Sequence, residues 1–459
     1  MTHDASRRAF LKRSSMLGLA GAAAPWALNL AAMSEAAAAT ATDYKALVCV
    51  FLYGGNDYGN TLVPCDTDRY TAYQGMRPTV AYTQAQLAGT VLAPRVALAG
   101  GMQYALAPEL SPLKSLFDSG KLGVMLNVGT LVQPTTKAQY TAGSVPLPPR
   151  LFSHNDQQSV WQASSPEGAT SGWGGRMGDL FESGNGNAVF TCVNVSGNAV
   201  YLSGKAATQY QVSTTGPVAL NGVARPLFGS SACSTALQDL VTASSANVFE
   251  NEYSRISARS LSAGGALSAA LAGGPAITTP FPAPGTNPLA DQLKLVARMI
   301  STADAVGAKR QVFFVSMGGF DNHDGLATLH PGLLTSVADA LAAFHAATQE
   351  LQVDRQVTTF TASDFGRTLT ANDGSDHGWG SMHFMLGGAV NGGRYYGTPP
   401  VVANDGPDDV GQGRLLPTTS VDQYAATMGK WLGISDTDLL TVLPNLANWD
   451  ASQRNLGFV

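Results

Sequence analysis

Only four cysteines (Cys49, Cys65, Cys192 and Cys233) are scattered through 459 residues, and none forms a CxxC pair. That excludes a disulfide framework, although a single bridge stays open in an oxidising compartment. Basic residues are outnumbered: the chain holds 27 Lys and Arg against 32 Asp and Glu. Residues 1–42 carry four of the former (Arg7, Arg8, Lys12, Arg13) and two of the latter (Asp4, Glu35), so without them 23 basic groups face 30 acidic ones. No basic run remains, which argues against nucleic acid as a partner. The first apolar run is not followed by a Gly-x-Gly-x-x-Gly turn, and a dehydrogenase is set aside on that ground. A strongly apolar span is missing too. The stretch Met16–Ala32 is diluted by Gly18, Gly21, Pro25, Asn29 and many alanines, which reads against a permanent membrane anchor.

What precedes that stretch is specific. Ser6-Arg7-Arg8-Ala9-Phe10-Leu11-Lys12 followed by a weakly apolar segment and the small run Ala36–Ala39 predicts a twin-arginine export signal over 1–42, cleaved near Ala39. The expected partner is then the twin-arginine translocase, and the expected location periplasmic or secreted. That pathway moves folded proteins, so a metal can be acquired before export.

Three stretches share one shape: an apolar, β-branched run that breaks into small residues and ends on an acid. They are Ala46-Leu-Val-Cys-Val-Phe-Leu-Tyr-Gly-Gly-Asn-Asp57, Gln311-Val-Phe-Phe-Val-Ser-Met-Gly-Gly-Phe-Asp321-Asn-His323, and Gln356-Val-Thr-Thr-Phe-Thr-Ala-Ser-Asp364-Phe-Gly-Arg367. Such runs read as strands buried on both faces, hence as parallel strands flanked by helices. Ligands of these sheets bind beyond the carboxyl ends of the strands. Between the second and third runs, Leu326–Leu351 repeats its apolar residues by threes and fours and predicts a helix, which completes a βαβ unit. Further helices are expected over Pro112–Gly120, Trp173–Glu182 and Leu289–Ala305, and further strands at Leu122–Val128 and Ala188–Val195. Residues 43–459 read as one domain, with a β-rich inserted cap at 196–228 and an exposed loop at 262–288.

The acidic run ends would converge on one rim, and carboxylates and imidazoles held there suit a divalent cation, with Zn, Mn and Ca the candidates. The metal-ligand set expected on this basis is Asp57, His154, Asp321, His323, Asp364, Asp376 and His377. Each has a plainer alternative. Asp57 can stabilise its turn, and Asp364 can cap a helix starting at Phe365. His330 and His345 are expected on helix surfaces, and His383 at the start of a strand.

The chain resembles the exported bacterial family called domain of unknown function 1501, itself similar to the alkaline-phosphatase-like superfamily that includes sulfatases. The resemblance spans Lys45 to Leu432. It rests on Phe-Leu-Tyr-Gly-Gly-Asn-Asp57, Phe-Ser-His154, Gly-Trp173-Gly-Gly-Arg176, Gly-Gly-Phe-Asp321-Asn-His323, Ser-Asp364-Phe-Gly-Arg-Thr368, Asp376-His377-Gly and Gly387-Gly-Ala-Val-Asn-Gly-Gly393. It implies a three-layer α/β/α sandwich with a mostly parallel central sheet and insertions. It also implies a one- or two-metal site for displacement at phosphorus or sulfur in a small-molecule or polymeric anionic ester. Asp57 then looks like the first ligand, Asp321 and His323 like the central pair, Asp364 like the later acidic ligand and His377 like the late histidine. Two departures stand out: the family pattern has Glu where Asp364 stands, and the superfamily often has His where Phe365 stands, so one metal site is expected to be weakened or absent. The implied nucleophile is a Ser, Thr or modified Cys. Ser153, Thr170 and Ser171 are candidates by position, while the sulfatase pattern Cys-x-Pro-x-Arg is absent. Arg176 and Arg367 are candidates to neutralise an oxyanion or to pin a loop. A non-catalytic exported binding protein that keeps this fold is the alternative.

Overall fold

The computed structural model describes residues 43–459; the expected export signal over 1–42 lies outside them. The strands of the central sheet, in chain order, are β1 (Lys45–Leu52), β2 (Leu122–Gly129), β3 (Cys192–Asn194), β4 (Tyr210–Ser213), β5 (Gly216–Pro217), β6 (Arg310–Met317), β7 (Val357–Ser363), β8 (Ser381–Leu386), β9 (Tyr395–Tyr396) and β10 (Thr419–Ser420). They lie in the order β9-β2-β8-β7-β1-β6-β3-β4-β5, with β10 also on β2. Pairing is mostly parallel, and β8 runs antiparallel between β2 and β7. The strand expected over Ala188–Val195 begins instead with a 3-10 turn at Ala188–Phe190, and only Cys192–Asn194 is extended.

Alternate residues of β1 build two separate cores, which is what a strand covered on both faces requires. Ala46, Val48, Val50 and Leu52 face one layer; Leu47, Cys49 and Phe51 face the other. The second layer is made by α1 (His154–Ala163), α2 (Trp173–Phe181) and the later helix Val421–Leu432, through Trp161, Trp173, Met177 and Tyr424. In the first layer stand α3 (Ser231–Thr242), α4 (Val248–Gly273), α5 (Pro288–Ser301) and α6 (Leu326–Glu350), although α3 and most of α4 project from it. Leu289, Leu293 and Val296 of α5 and Leu334, Val337 and Leu341 of α6 are buried there. Full burial of each such side chain contributes about 1.5–3 kcal/mol. The molecule is thus a three-layer α/β/α sandwich.

Two expectations change. Residues 262–273, expected as the start of a loop, continue helix α4, because the alanines of that stretch favour helix more than its paired glycines oppose it. Only the segment after Gly273, up to Pro288, is irregular. The expected cap at 196–228 supplies β4 and β5, and β4 pairs parallel with β3, so this segment extends the edge of the central sheet. Among the described residues no helix is long and apolar enough to cross a membrane.

Candidate metal centre

Register fixes the rim. Leu52 at the end of β1 is level with Met317 of β6 on one side and Ser363 of β7 on the other, so the three segments that follow leave the sheet together. Gly54 makes the contact between them. Its φ of +114° favours glycine, and a Cβ there would lie 2.4 Å from the backbone nitrogen of Asp321. Its own N–H donates to Asp364 Oδ2 at 3.2 Å. After β7 the chain folds back on itself. Gly366 donates to the carbonyl of Trp379 and Thr368 to that of Asp376, which brings His377 over the strand ends. Across from that loop, His154 is the first residue of α1.

Four groups meet. His377 Nε2 lies 3.0 Å from His154 Nε2 and 3.0 Å from His323 Nε2. Asp321 closes the set, with Oδ1 at 2.9 Å from His323 Nε2 and 3.4 Å from His377 Nε2, and Oδ2 at 3.4 Å from His154 Nε2. Donors about 2.0–2.1 Å from a tetrahedral cation stand roughly 3.3 Å apart, and these contacts lie near that spacing; the groups compact enough to hold one ion are His154, Asp321 and His377, and His323, Asp376 and His377, which share His377.

The partners behind the rings set the tautomers. His154 Nδ1 faces Asp364 Oδ2 at 2.7 Å, and His377 Nδ1 faces the carbonyl of Phe152 at 2.7 Å. A carboxylate and a carbonyl only accept, so both Nδ1 atoms carry hydrogen. In their neutral forms the two rings therefore aim Nε2 lone pairs at each other across 3.0 Å, an arrangement that repels unless a cation or a proton sits between them. The hydrogen bond that His154 donates to Asp364 raises the pKa of His154 against the opposing effect of partial burial. Burial lowers that of His377. For Asp321, burial works upward, but the hydrogen bond and charge of Arg367 prevail and hold its carboxyl below the usual range. The residue that orients His377 is itself strained: Phe152 has φ +74°, uncommon for a bulky side chain.

Not every expected ligand is in this shell. Asp364 stands behind it: Oδ2 accepts from His154, Gln158 and Gly54, and Oδ1 is buried without a partner. No helix starts at Phe365, so the capping alternative fails as well. Asp57 belongs to the frame. Its Oδ1 accepts from the N–H of Asn60, and its Oδ2 pairs with Arg77 at 2.7 Å and accepts from Ser375 Oγ. Both its oxygens are thus engaged, in the turn and with a buried guanidinium. Asp376 is half-exposed, holds Arg414 at 3.2 Å and makes a second grouping with His323 and His377. Phe365 packs its ring 4.9 Å from His154 and 4.8 Å from His377, so it shields the imidazoles and offers no donor.

The expected hydroxyls and guanidiniums are committed elsewhere. Ser153 Oγ donates to Asp156. Ser171 accepts from Arg176, which also holds the carbonyls of Val442 and Ala163, so both pin a loop away from the histidines. Thr170 is exposed on the loop between α1 and α2. Arg367 is fully buried and grips Asp321 at 2.6 Å, the carbonyl of Gly54 at 3.1 Å and that of Ser375, so it positions a ligand rather than facing a substrate. His330 and His345, expected on helix surfaces, are buried, and His330 Nε2 meets Asn56 Oδ1 at 3.0 Å. Gln158, Arg77, Arg414 and Ser375 carry no motif. Gln158 stands one helical turn after His154, which is the spacing that could have pointed to it.

Beside the shell opens a cleft of about 550 Å³, lined by His323, Thr368, Asn372, Ser375, Asp376 and Gln412 among others. Its acidic residues are Asp376, Asp405 and Asp409, and no Lys or Arg is among the described residues that line it. The hydroxyls nearest the histidines are engaged: Thr368 Oγ donates to the carbonyl of Thr370 and accepts from the N–H of Asp376, and Ser375 Oγ donates to Asp57.

Fold and site together define an α/β sandwich protein with a histidine–aspartate centre at the carboxyl edge of its sheet. The chain belongs to the family described as protein of unknown function (DUF1501), whose model matches residues 44–446. No curated protein matches it. Solved structures overlap it loosely. Ps i-CgsB, crystallised in complex with k-i-k-neocarrahexaose, is similar over 90% of this chain and 77% of its own, at 9% identity and a TM-score of 0.36. A structure from work on the metabolism of multiple glycosaminoglycans by Bacteroides thetaiotaomicron overlaps over 86% and 74%, at 10% identity and a TM-score of 0.36. PsFucS1 sulfatase from Pseudoalteromonas sp. overlaps over 94% and 76%, at 10% and 0.34.

Proposed function

We propose that this chain is an exported, metal-dependent hydrolase of phosphate or sulfate esters, with the ion held by His154, His323, His377 and Asp321. One observation carries the metal: with both Nδ1 positions pinned by acceptors, the Nε2 atoms of His154 and His377 face each other at 3.0 Å, a pair that a cation or a shared proton must bridge. Three imidazoles and one carboxylate favour Zn or Mn over Ca, which takes oxygen ligands. Bound there, such an ion supplies Lewis acidity toward an ester oxygen. The chain's own groups do the rest. Asp364 and the Phe152 carbonyl hold two rings in register, Arg367 keeps Asp321 ionised and in place, and Asn372, Gln412 and Asn404 present polar contacts in the cleft. With Thr368 and Ser375 committed, the attacking group is water. The anionic ester would enter an acidic cleft, so the cation is also what makes the site attractive to it. Export rests on the twin-arginine sequence, with the translocase as the transient partner.

The test is elemental analysis of the purified protein, followed by turnover of aryl phosphates and aryl sulfates with Zn, Mn or Ca. Bound metal at one equivalent or more, lost in His377→Ala together with turnover, is the expected result. A metal-free wild-type protein that refuses added Zn and Mn sinks the reading.

A second reading is favoured by the committed hydroxyls and the acidic cleft: an exported binding protein that keeps the ion for structure. Stoichiometric metal with no turnover of either ester class selects it.

A further inference from the structure

We propose that the protein pairs with a second copy of itself through the N-terminal half of α4. Phe249, Tyr253, Ile256, Ser260, Ala263 and Leu267 follow one another by fours and threes, so they form a single stripe along one side of the helix. That stripe has two fates. At its C-terminal end Ala263 and Leu267 are buried in the core beneath the sheet. At its N-terminal end the same side runs past the body: Phe249 is 86% exposed, Tyr253 64% and Ile256 48%. Val248, Leu240 and Phe228 add further exposed apolar surface nearby in the chain. Scattered apolar residues are normal on a surface, but a continuous seam that is core at one end and bare at the other marks a docking face.

The flanking charges select the occupant. When two copies of α4 cross antiparallel with Tyr253 opposite Ile256 of the second copy, the positions beside the seam bring Glu252 against Arg259 of the second copy. Two-fold symmetry makes the same pair again on the other side. Glu252 otherwise reaches only Arg255, one turn away at an exposed 3.3 Å pair, and Arg259 makes no ion pair among the described residues. With the acids Asp239, Glu250 and Glu252 matching the bases Arg225, Arg255 and Arg259 in number over 221–273, the face has no net charge to seek an anionic membrane.

Sedimentation analysis across about 1–100 μM tests this. The expected result is twice the mass of one chain at the upper concentrations, and one mass throughout for Phe249→Asp. Glu252→Arg and Arg259→Glu should each weaken association at least roughly tenfold, and the double exchange should restore it. Far-ultraviolet dichroism checks that each variant remains folded; the double exchange still decides should Phe249→Asp unfold. A single mass at every concentration overturns the proposal. So do pairing that survives Phe249→Asp, or binding of the monomer to neutral or anionic vesicles that Phe249→Asp abolishes.

Discussion

Asp364 and Asp57 end similar strands and have opposite fates, which neighbouring side chains decide. Asp364 lies behind His154, where it raises the basicity of the ring and fixes which nitrogen points outward. Partners of this kind tune metal affinity by about 10–100-fold. Asp364→Asn should therefore weaken Zn binding within that range in competition with a chromophoric chelator, and unchanged affinity would remove Asp364 from this role. Asp57, in contrast, is paired with a buried guanidinium. Removing one member of such a pair leaves an uncompensated charge and costs about 3–5 kcal/mol. Arg77→Met should lower stability by that amount in urea unfolding and leave the metal content unchanged. Loss of metal at full stability would return Asp57 to the ligand set.

At the scale of elements, the strand ends were legible because their physics is local. An apolar β-branched run covered on both faces has no other home than a central strand, and β1, β6 and β7 stand where those runs are. The placement of Asp321 and His323 on the rim followed from that, while His377 is carried there by the loop 365–380. What stayed illegible is the network that holds them. Arg77 is twenty positions from Asp57, and no local pattern links them. The loop 365–380 is shaped by backbone bonds to its own distant residues, which leave no periodic trace. The stretch 262–273 reads as a loop because Gly264, Gly265 and its serines are loop composition, while its alanines carry it on as helix. The turn after β1 gives a sharp test. Gly54→Ala puts a methyl group into the backbone of Asp321 at a left-handed position, and strain of this kind costs on the order of 1–3 kcal/mol. The thermal midpoint should fall and Zn affinity should fall with it; a fully stable variant with unaltered affinity would contradict the role of that contact.

For the whole molecule, acid is the relevant stress. His330, His345 and His383 are buried, and burial pushes their pKa values down to about 4, 4 and 3 from an ordinary 6.5. An unfolded chain takes up these protons near pH 6.5 while the native one refuses them until about pH 4. Their contribution is thus complete above pH 6.5 and is lost as pH falls toward 3–4, with a slope of up to roughly 4 kcal/mol per pH unit near pH 5 for three protons. Urea midpoints measured from pH 7 to pH 4 should drop steeply, and His383→Phe should flatten the curve by about a third. A flat profile in the wild type would show that these rings are protonated or solvated in the native state.

The centre also spans the chain. His154 and His377 are 223 positions apart yet touch through their ring nitrogens. An ion gripping both would fasten distant stretches of polypeptide as a cross-link does, but reversibly and only in the native form. At a hundred times its dissociation constant it would add about 2.7 kcal/mol to the native state. The melting temperature would then report how much free zinc or manganese surrounds the protein, and stripping by a chelator would loosen the entire sandwich rather than its rim alone.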